Sequence, residues 1–202
     1  LMENMGQLLF GISGGNVTAI EVEVRGEIAS QDVSVLKLAA LKGFYQNAVT
    51  EQVSYVNAPL MAEARGVEVK LSVDSHSEEY RNVTSIKAIL ADGTSASVSG
   101  TVIGPKLHQK IVNINGYDVE LAMAEHLVLM VYADRPGIVA VYGKAFAENN
   151  INIAAMQIAR NSKGGKALSV ITVDSPVAAN VLEEVRVAIE ADVLKAIDLK
   201  LD

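Results

Sequence analysis

Hydrophobic and polar positions follow two rhythms along this chain, and the change of rhythm divides it. In residues 16–26, NVTAIEVEVRG, Val22 and Val24 point one way and Glu21 and Glu23 the other, the pattern of a half-buried strand. Before it, residues 2–10 read as a short helix ended by the glycines of GISGG. After it, Ser30 is a candidate N-cap for a helix over residues 31–47, with Val33, Leu36, Ala40 and Phe44 on one face. NAPLMAEARG predicts a second short helix, with Pro59 near its start and Gly66 just past its end.

From Val67 the pattern turns to strands: VEVKLSVDS, two strands around Asp92-Gly93, and two more around Asn115-Gly116. Asp-Gly and Asn-Gly are strong hairpin signals because the central residues must accept positive φ. The expectation is a strand meander after a helical segment, an α+β domain over residues 16–123.

The remainder alternates differently. Residues 127–133 predict a strand, 136–149 a helix, 151–159 a strand, Gly164-Gly165 a hairpin and 167–173 its return. Ser175 and Pro176 suit the N-cap and first position of another helix, in which Val177, Val181, Val185 and Ile189 recur every four residues. A strand over residues 193–201 closes the order βαββαβ, a ferredoxin-like sandwich over residues 124–202. The fold class expected is therefore α+β in two domains.

Composition narrows the function. Half the residues are hydrophobic, aromatics are scarce and Trp is absent, so the cores are aliphatic. A net charge of −7 disfavours nucleic acid and anionic membrane surfaces as partners. No apolar run reaches the ~18 residues of a spanning helix, and no basic-then-apolar leader opens the chain. The chain has no cysteine, which excludes disulfides, thiolate nucleophiles, iron–sulfur ligation and cysteine zinc sites. A cytoplasmic location is the expectation.

One corner carries chemistry: YADRPGI at residues 132–138. Pro136 is expected at the first helical position and Gly137 beside it, leaving the N–H groups near Gly137, Ile138 and Val139 open to a carboxylate. Asp134 ends the preceding strand and can pair with an ammonium group, with Tyr132 on the same strand face. Asn152 opens the next strand with a donor and an acceptor. Together these suit a small zwitterion; as plain structure, Asp134 would cap the helix and Asn152 would sit in a turn.

The segment ADRPGIVAVYGKAFAENNINIAAMQIAR resembles the first half of an ACT domain, the amino-acid-sensing module of metabolic enzymes. ALKGFYQNAV, VNAPLMAEARGVEV and SGTVIGPKLHQKIVNINGY precede it in order. That succession resembles the regulatory half of long-form bacterial D-3-phosphoglycerate dehydrogenases, an intervening domain followed by an ACT domain. The resemblance implies that residues 1–15 link to a catalytic part, 16–123 form the intervening domain and 124–202 the ACT domain. It implies L-serine as effector, held by Tyr132 and Asp134 with Asn152 reaching in from a neighbouring chain, and feedback inhibition of serine biosynthesis. It also implies a homo-oligomer, a dimer through ACT domains or a tetramer. A family anion site between the two domains uses one lysine, matched by Lys110, and two arginines, whose positions here hold Ala122 and Thr172. Lys106, His108 and Lys110 alternate and could replace it as a basic stripe, or form only a solvated face.

NAD belongs, by the same resemblance, to the catalytic part of the parent dehydrogenase. This chain has no G-x-G-x-x-G and no catalytic set, so no cofactor, no metal and no activity are expected of it alone. His76 near Glu78 and Glu79 reads as a solvated loop rather than a metal site. Gly11-Ile12-Ser13-Gly14-Gly15 spells G-x-S-x-G, yet a nucleophile elbow needs a strand before its serine and a helix after it, and here a helix precedes. Two alternatives stay open: an assembly-only ACT module with a degenerate effector site, and a subunit of an iron–sulfur serine dehydratase.

Overall fold

The computed structural model describes residues 1–201. The chain forms two compact units, Leu1–Asn115 with Glu120–Met123, and Ala124–Asp202 with Gly116–Val119.

The first unit contains α1 (Met2–Ser13), β1 (Val17–Gly26), α2 (Ser34–Gln46), α3 (Ala58–Ala64), β2 (Glu68–Asp74), β3 (Asn82–Leu90), β4 (Ser95–Ile103) and β5 (His108–Ile114). With β6 (Tyr117–Ala122) the strands form a six-stranded sheet in the order β2-β1-β3-β4-β5-β6. The expected meander holds from β3 onward. β2, however, pairs in parallel with β1, Val22 opposite Leu71. The chain between them, holding α2 and α3, is long enough for the crossover that a parallel pair needs. Ile20, Val22 and Val24 are buried, as are Met5, Leu8 and Leu9 of α1 and Leu41 and Phe44 of α2.

Two local expectations are corrected here, and two others hold. Ser30 ends a 3₁₀ turn, Glu27–Ser30, whose last carbonyl-seeking hydroxyl bonds Glu27 O, and α2 begins only at Ser34 behind Val33. At Asp92-Gly93 only Gly93 has positive φ, because the Asp92 carboxylate accepts from Thr94 N and Oγ1 and closes the loop without a second left-handed residue. At Asn115-Gly116 both residues do adopt positive φ, 50° and 80°. Gly14 ends α1 in the left-handed conformation, and the Ser13 hydroxyl bonds back to Phe10 O, so that serine belongs to a helix terminus.

The second unit is β7 (His126–Ala133), α4 (Ile138–Glu148), β8 (Ile153–Arg160), β9 (Lys166–Val173), α5 (Ala179–Ile189) and β10 (Val193–Asp198). Its antiparallel sheet has the order β10-β7-β9-β8, which leaves β8 and β10 as edges. The i,i+4 row Val177, Val181, Val185 and Ile189 is buried against Val128, Met130, Ile171, Tyr142 and Phe146. Ser175 and Pro176 precede α5 rather than start it; the cap position falls on Ala178, with no side-chain bond. Among the described residues no helix is long and apolar enough to cross a membrane.

Candidate functional site

The predicted corner lies at one end of the second unit's sheet. Asp134 leaves β7 with its amide donating to Gly165 O at 2.9 Å, which ties the strand end to the β8–β9 hairpin. Arg135, next in the chain, is anchored on α5. Its guanidinium donates to Ile189 O at 3.3 Å and pairs with Glu190 at 3.4 Å, a cation seated on the carbonyl end of α5. Pro136 is not the first helical residue. The helix cap is Gly137, at φ 92° and ψ −17°, and Val141 N makes the first helical bond to Gly137 O. A side chain at Gly137 would meet no protein atom within 4 Å, so the left-handed backbone, not crowding, calls for glycine there. No side chain caps the first turn of α4, and its leading N–H groups are left for solvent or a ligand.

These residues enclose a cleft of about 480 Å³, lined by Tyr132, Asp134, Pro136, Gly137, Ile138 and Val139. Six of the seven residues singled out in the sequence therefore share one cavity. Tyr132 contributes a wall: it is buried, and its hydroxyl lies 2.6 Å from the Ser169 hydroxyl.

Asn152, the seventh, stands elsewhere. Its Nδ2 donates to Asp174 at 2.6 Å and its carbonyl accepts from Asp174 N, where β8 begins beside the end of β9. The cleft lies at the other end of β8.

Arg135, Ile158, Arg160, Lys163 and Gly164 also line the cleft and were not singled out. Arg160 Nε lies 3.3 Å from Asp134 Oδ2, with the Asp134 side chain one-fifth exposed. A signal for this pair existed in the sequence, since Ile158 and Arg160 alternate toward the end of a strand leading into a hairpin. Which neighbour that end would meet required the strand order β7-β9-β8.

Of the basic stripe, Lys106 lies in the turn before β5 rather than on the strand, because the strand starts at His108. Lys110 has Glu120 at 3.9 Å, so a carboxylate already shares its ammonium. Thr172 is buried with its hydroxyl on Ala155 O at 3.4 Å, and Ala122 is exposed at the end of β6. His76 lies 3.9 Å from Glu78 on an exposed loop, and no group of three or more metal-ligating side chains occurs among the described residues. In the second unit the β7–α4 corner carries one glycine and the β9–α5 connection none, so neither strand-to-helix turn is the glycine-rich kind that lets a backbone approach a pyrophosphate.

Residues 1–115 match the family model described as D-3-phosphoglycerate dehydrogenase intervening domain. The chain belongs to that family. Residues 126–190 match the ACT domain model, in agreement with the βαββαβ order. Curated relatives named D-3-phosphoglycerate dehydrogenase align along nearly the whole chain. The one from Mycobacterium leprae is 32% identical over 199 residues, 98% of this chain and 38% of the relative. Those from Bacillus subtilis and Methanocaldococcus jannaschii are 31% and 30% identical over 91% and 92% of this chain, covering 34% and 35% of their own lengths. The chain thus spans little more than a third of the relatives it matches.

Proposed function

We propose that this chain is the regulatory portion of a D-3-phosphoglycerate dehydrogenase. It binds L-serine in the Asp134 cleft and joins a second copy through its ACT domain, so that the end product restrains an NAD-dependent catalytic portion. The chain alone performs no hydride transfer, and the intervening domain comprises residues 16–123 before an ACT domain from residue 124.

The observation that carries the reading is the juxtaposition, in one cleft, of the Asp134 carboxylate and the uncapped N-terminus of α4. One complements an ammonium group and the other a carboxylate, which together describe a free amino acid.

The position of Asn152 supports a shared site. Asn152 and Arg160 are eight residues apart, about 25 Å along an extended strand, too far for both ends to serve one small ligand. β8 is an edge strand with Met156 and Ile158 exposed, 43% and 37%. Antiparallel pairing of two β8 edges centred near Met156 would set Asn152 of the partner subunit opposite Arg160, at the mouth of the cleft. Serine held this way favours one arrangement of the chains by no more than its difference in affinity between arrangements.

Isothermal titration of the chain with L-serine tests the reading, with D-serine, glycine and an Asp134→Ala variant as controls. Saturable, stereoselective binding lost in the variant is expected. A folded dimer that gives no heat at millimolar L-serine overturns it and leaves the assembly-only alternative, which draws on Asp134 already having a cation partner.

A further inference from the structure

The ammonium subsite of the cleft is already filled, and by the protein itself. Asp134 is mostly buried, and Arg160, whose Nε sits 3.3 Å from its Oδ2, is the only cationic side chain described within 4.0 Å of it. Arg160 is the last residue of β8 and itself lines the cleft, with its side chain 57% exposed. We propose that Arg160 decides which amino compounds the cleft admits, by an exchange of ion pairs that only a zwitterion can complete. The proposal rests on the reading of the cleft as an amino-acid site and names the selectivity of that site.

The physical argument compares pairs broken with pairs made. A ligand ammonium can reach Asp134 only by taking the place of the guanidinium. An α-amino acid carries its carboxylate two bonds from its nitrogen, so the displaced guanidinium finds a new anion in the same cleft, in a geometry that suits a two-pronged bond. One ion pair is exchanged for two. A plain amine exchanges one pair for one and leaves Arg160 in water, so it gains almost nothing. A plain carboxylic acid must pull Arg160 off Asp134 and offers that carboxylate no replacement cation. Arg135, the neighbouring guanidinium, cannot substitute readily, being held by Glu190 and Ile189 O at the end of α5.

The probes are L-serine and ethanolamine, which share ammonium and hydroxyl and differ only in the carboxylate. Their affinities for the full chain and for Arg160→Met are read by titration followed by NMR. Methionine keeps an unbranched stem over Ile158, and thermal melting checks that the variant folds. Removing the competitor is expected to tighten ethanolamine about two- to fivefold, the range an exposed ion pair supports, while L-serine weakens for want of its carboxylate partner. Arg160→Lys should restore most of the preference for L-serine. Ethanolamine affinity that fails to rise in Arg160→Met overturns the inference. In that case wild-type binding of L-serine still upholds the amino-acid reading. A wild-type chain that ignores L-serine, yet shows the rise, keeps Arg160 as guard of Asp134 and sinks the amino-acid reading instead.

Discussion

The hydroxyls of Tyr132 and Ser169 lie 2.6 Å apart in the interior of the second unit, where Tyr132 is 2% and Ser169 0% exposed. Tyr142, on the facing helix α4, donates its hydroxyl to Met156 Sδ instead, at 2.9 Å. Ser169→Ala would leave the Tyr132 hydroxyl unpaired in the interior and is expected to cost about 1–3 kcal/mol. Tyr132→Phe leaves the buried Ser169 hydroxyl as the unpaired group and should cost a similar amount. The double variant should lose less than the sum of the two singles. Urea denaturation of the four proteins measures this coupling. In the same variants L-serine affinity should change by about twofold or less for Tyr132→Phe, as the phenol shapes the cleft wall while its hydrogen bond is used internally.

Gly6 of α1 and Gly43 of α2 mark where two helices cross closely. A Cβ on Gly43 would lie 1.8 Å from Glu3 O, and one on Gly6 2.2 Å from Ala40 O. Helix propensity favours alanine at both sites by about 1 kcal/mol. The overlap is with backbone, which no rotamer change can relieve, and forcing the helices apart should cost about 3 kcal/mol or more. Gly43→Ala is therefore expected to lower the melting temperature despite being the better helix former, as circular dichroism would record.

Much of this architecture is legible in local pattern, and the reasons for the exceptions are physical. Asn115-Gly116 and the row Val177, Val181, Val185 and Ile189 announce themselves because one turn and one helix face are encoded by neighbours in sequence. Ser30 and Ser175 suit helix caps because serine is a good cap wherever a helix starts; where α2 and α5 actually start is decided by packing, which places each cap three residues later. The parallel pairing of β1 with β2 depends on contacts across the intervening helices, which no hairpin signal encodes. The cleft was half visible. YADRPG specifies the strand end and the helix start, but Arg160 joins Asp134 only through the order β7-β9-β8.

Alkaline pH should weaken the second unit in a way that one side chain controls. Burial pushes the Tyr142 phenol above its ordinary value of 10.0, with the nearby Ser169 hydroxyl pulling weakly the other way. The native state then keeps a proton that the unfolded chain releases. This contribution to stability is complete below pH 10.0 and is lost as pH rises from there toward the raised native value. The slope for one proton is at most about 1.4 kcal/mol per pH unit. Burial raises Tyr45 in the first unit similarly, against the nearby charge of Arg65. Urea midpoints measured between pH 8 and 11, in steps of about half a unit, should fall less steeply for Tyr142→Phe than for wild type. At neutral pH the same variant should be slightly weaker, having lost the contact of its hydroxyl with Met156 Sδ at 2.9 Å.

If each serine site takes Asp134 from one chain and Asn152 from another, two dead variants should revive each other. Asp134→Ala and Asn152→Ala homodimers would each carry two crippled sites. In a mixed dimer one site has lost both groups and the other has kept both. Unfolding and refolding an equimolar mixture yields about half mixed dimers by random pairing, so about a quarter of all sites should regain wild-type affinity. Titration of the mixture with L-serine reads that fraction directly as stoichiometry. A site confined to one chain predicts no gain on mixing: Asp134→Ala chains stay dead, and Asn152→Ala chains bind as well alone as in the mixture. Asn152 bonded only to its own Asp174 would then be a strand-end fastening, and its alanine variant would lose stability while keeping L-serine affinity.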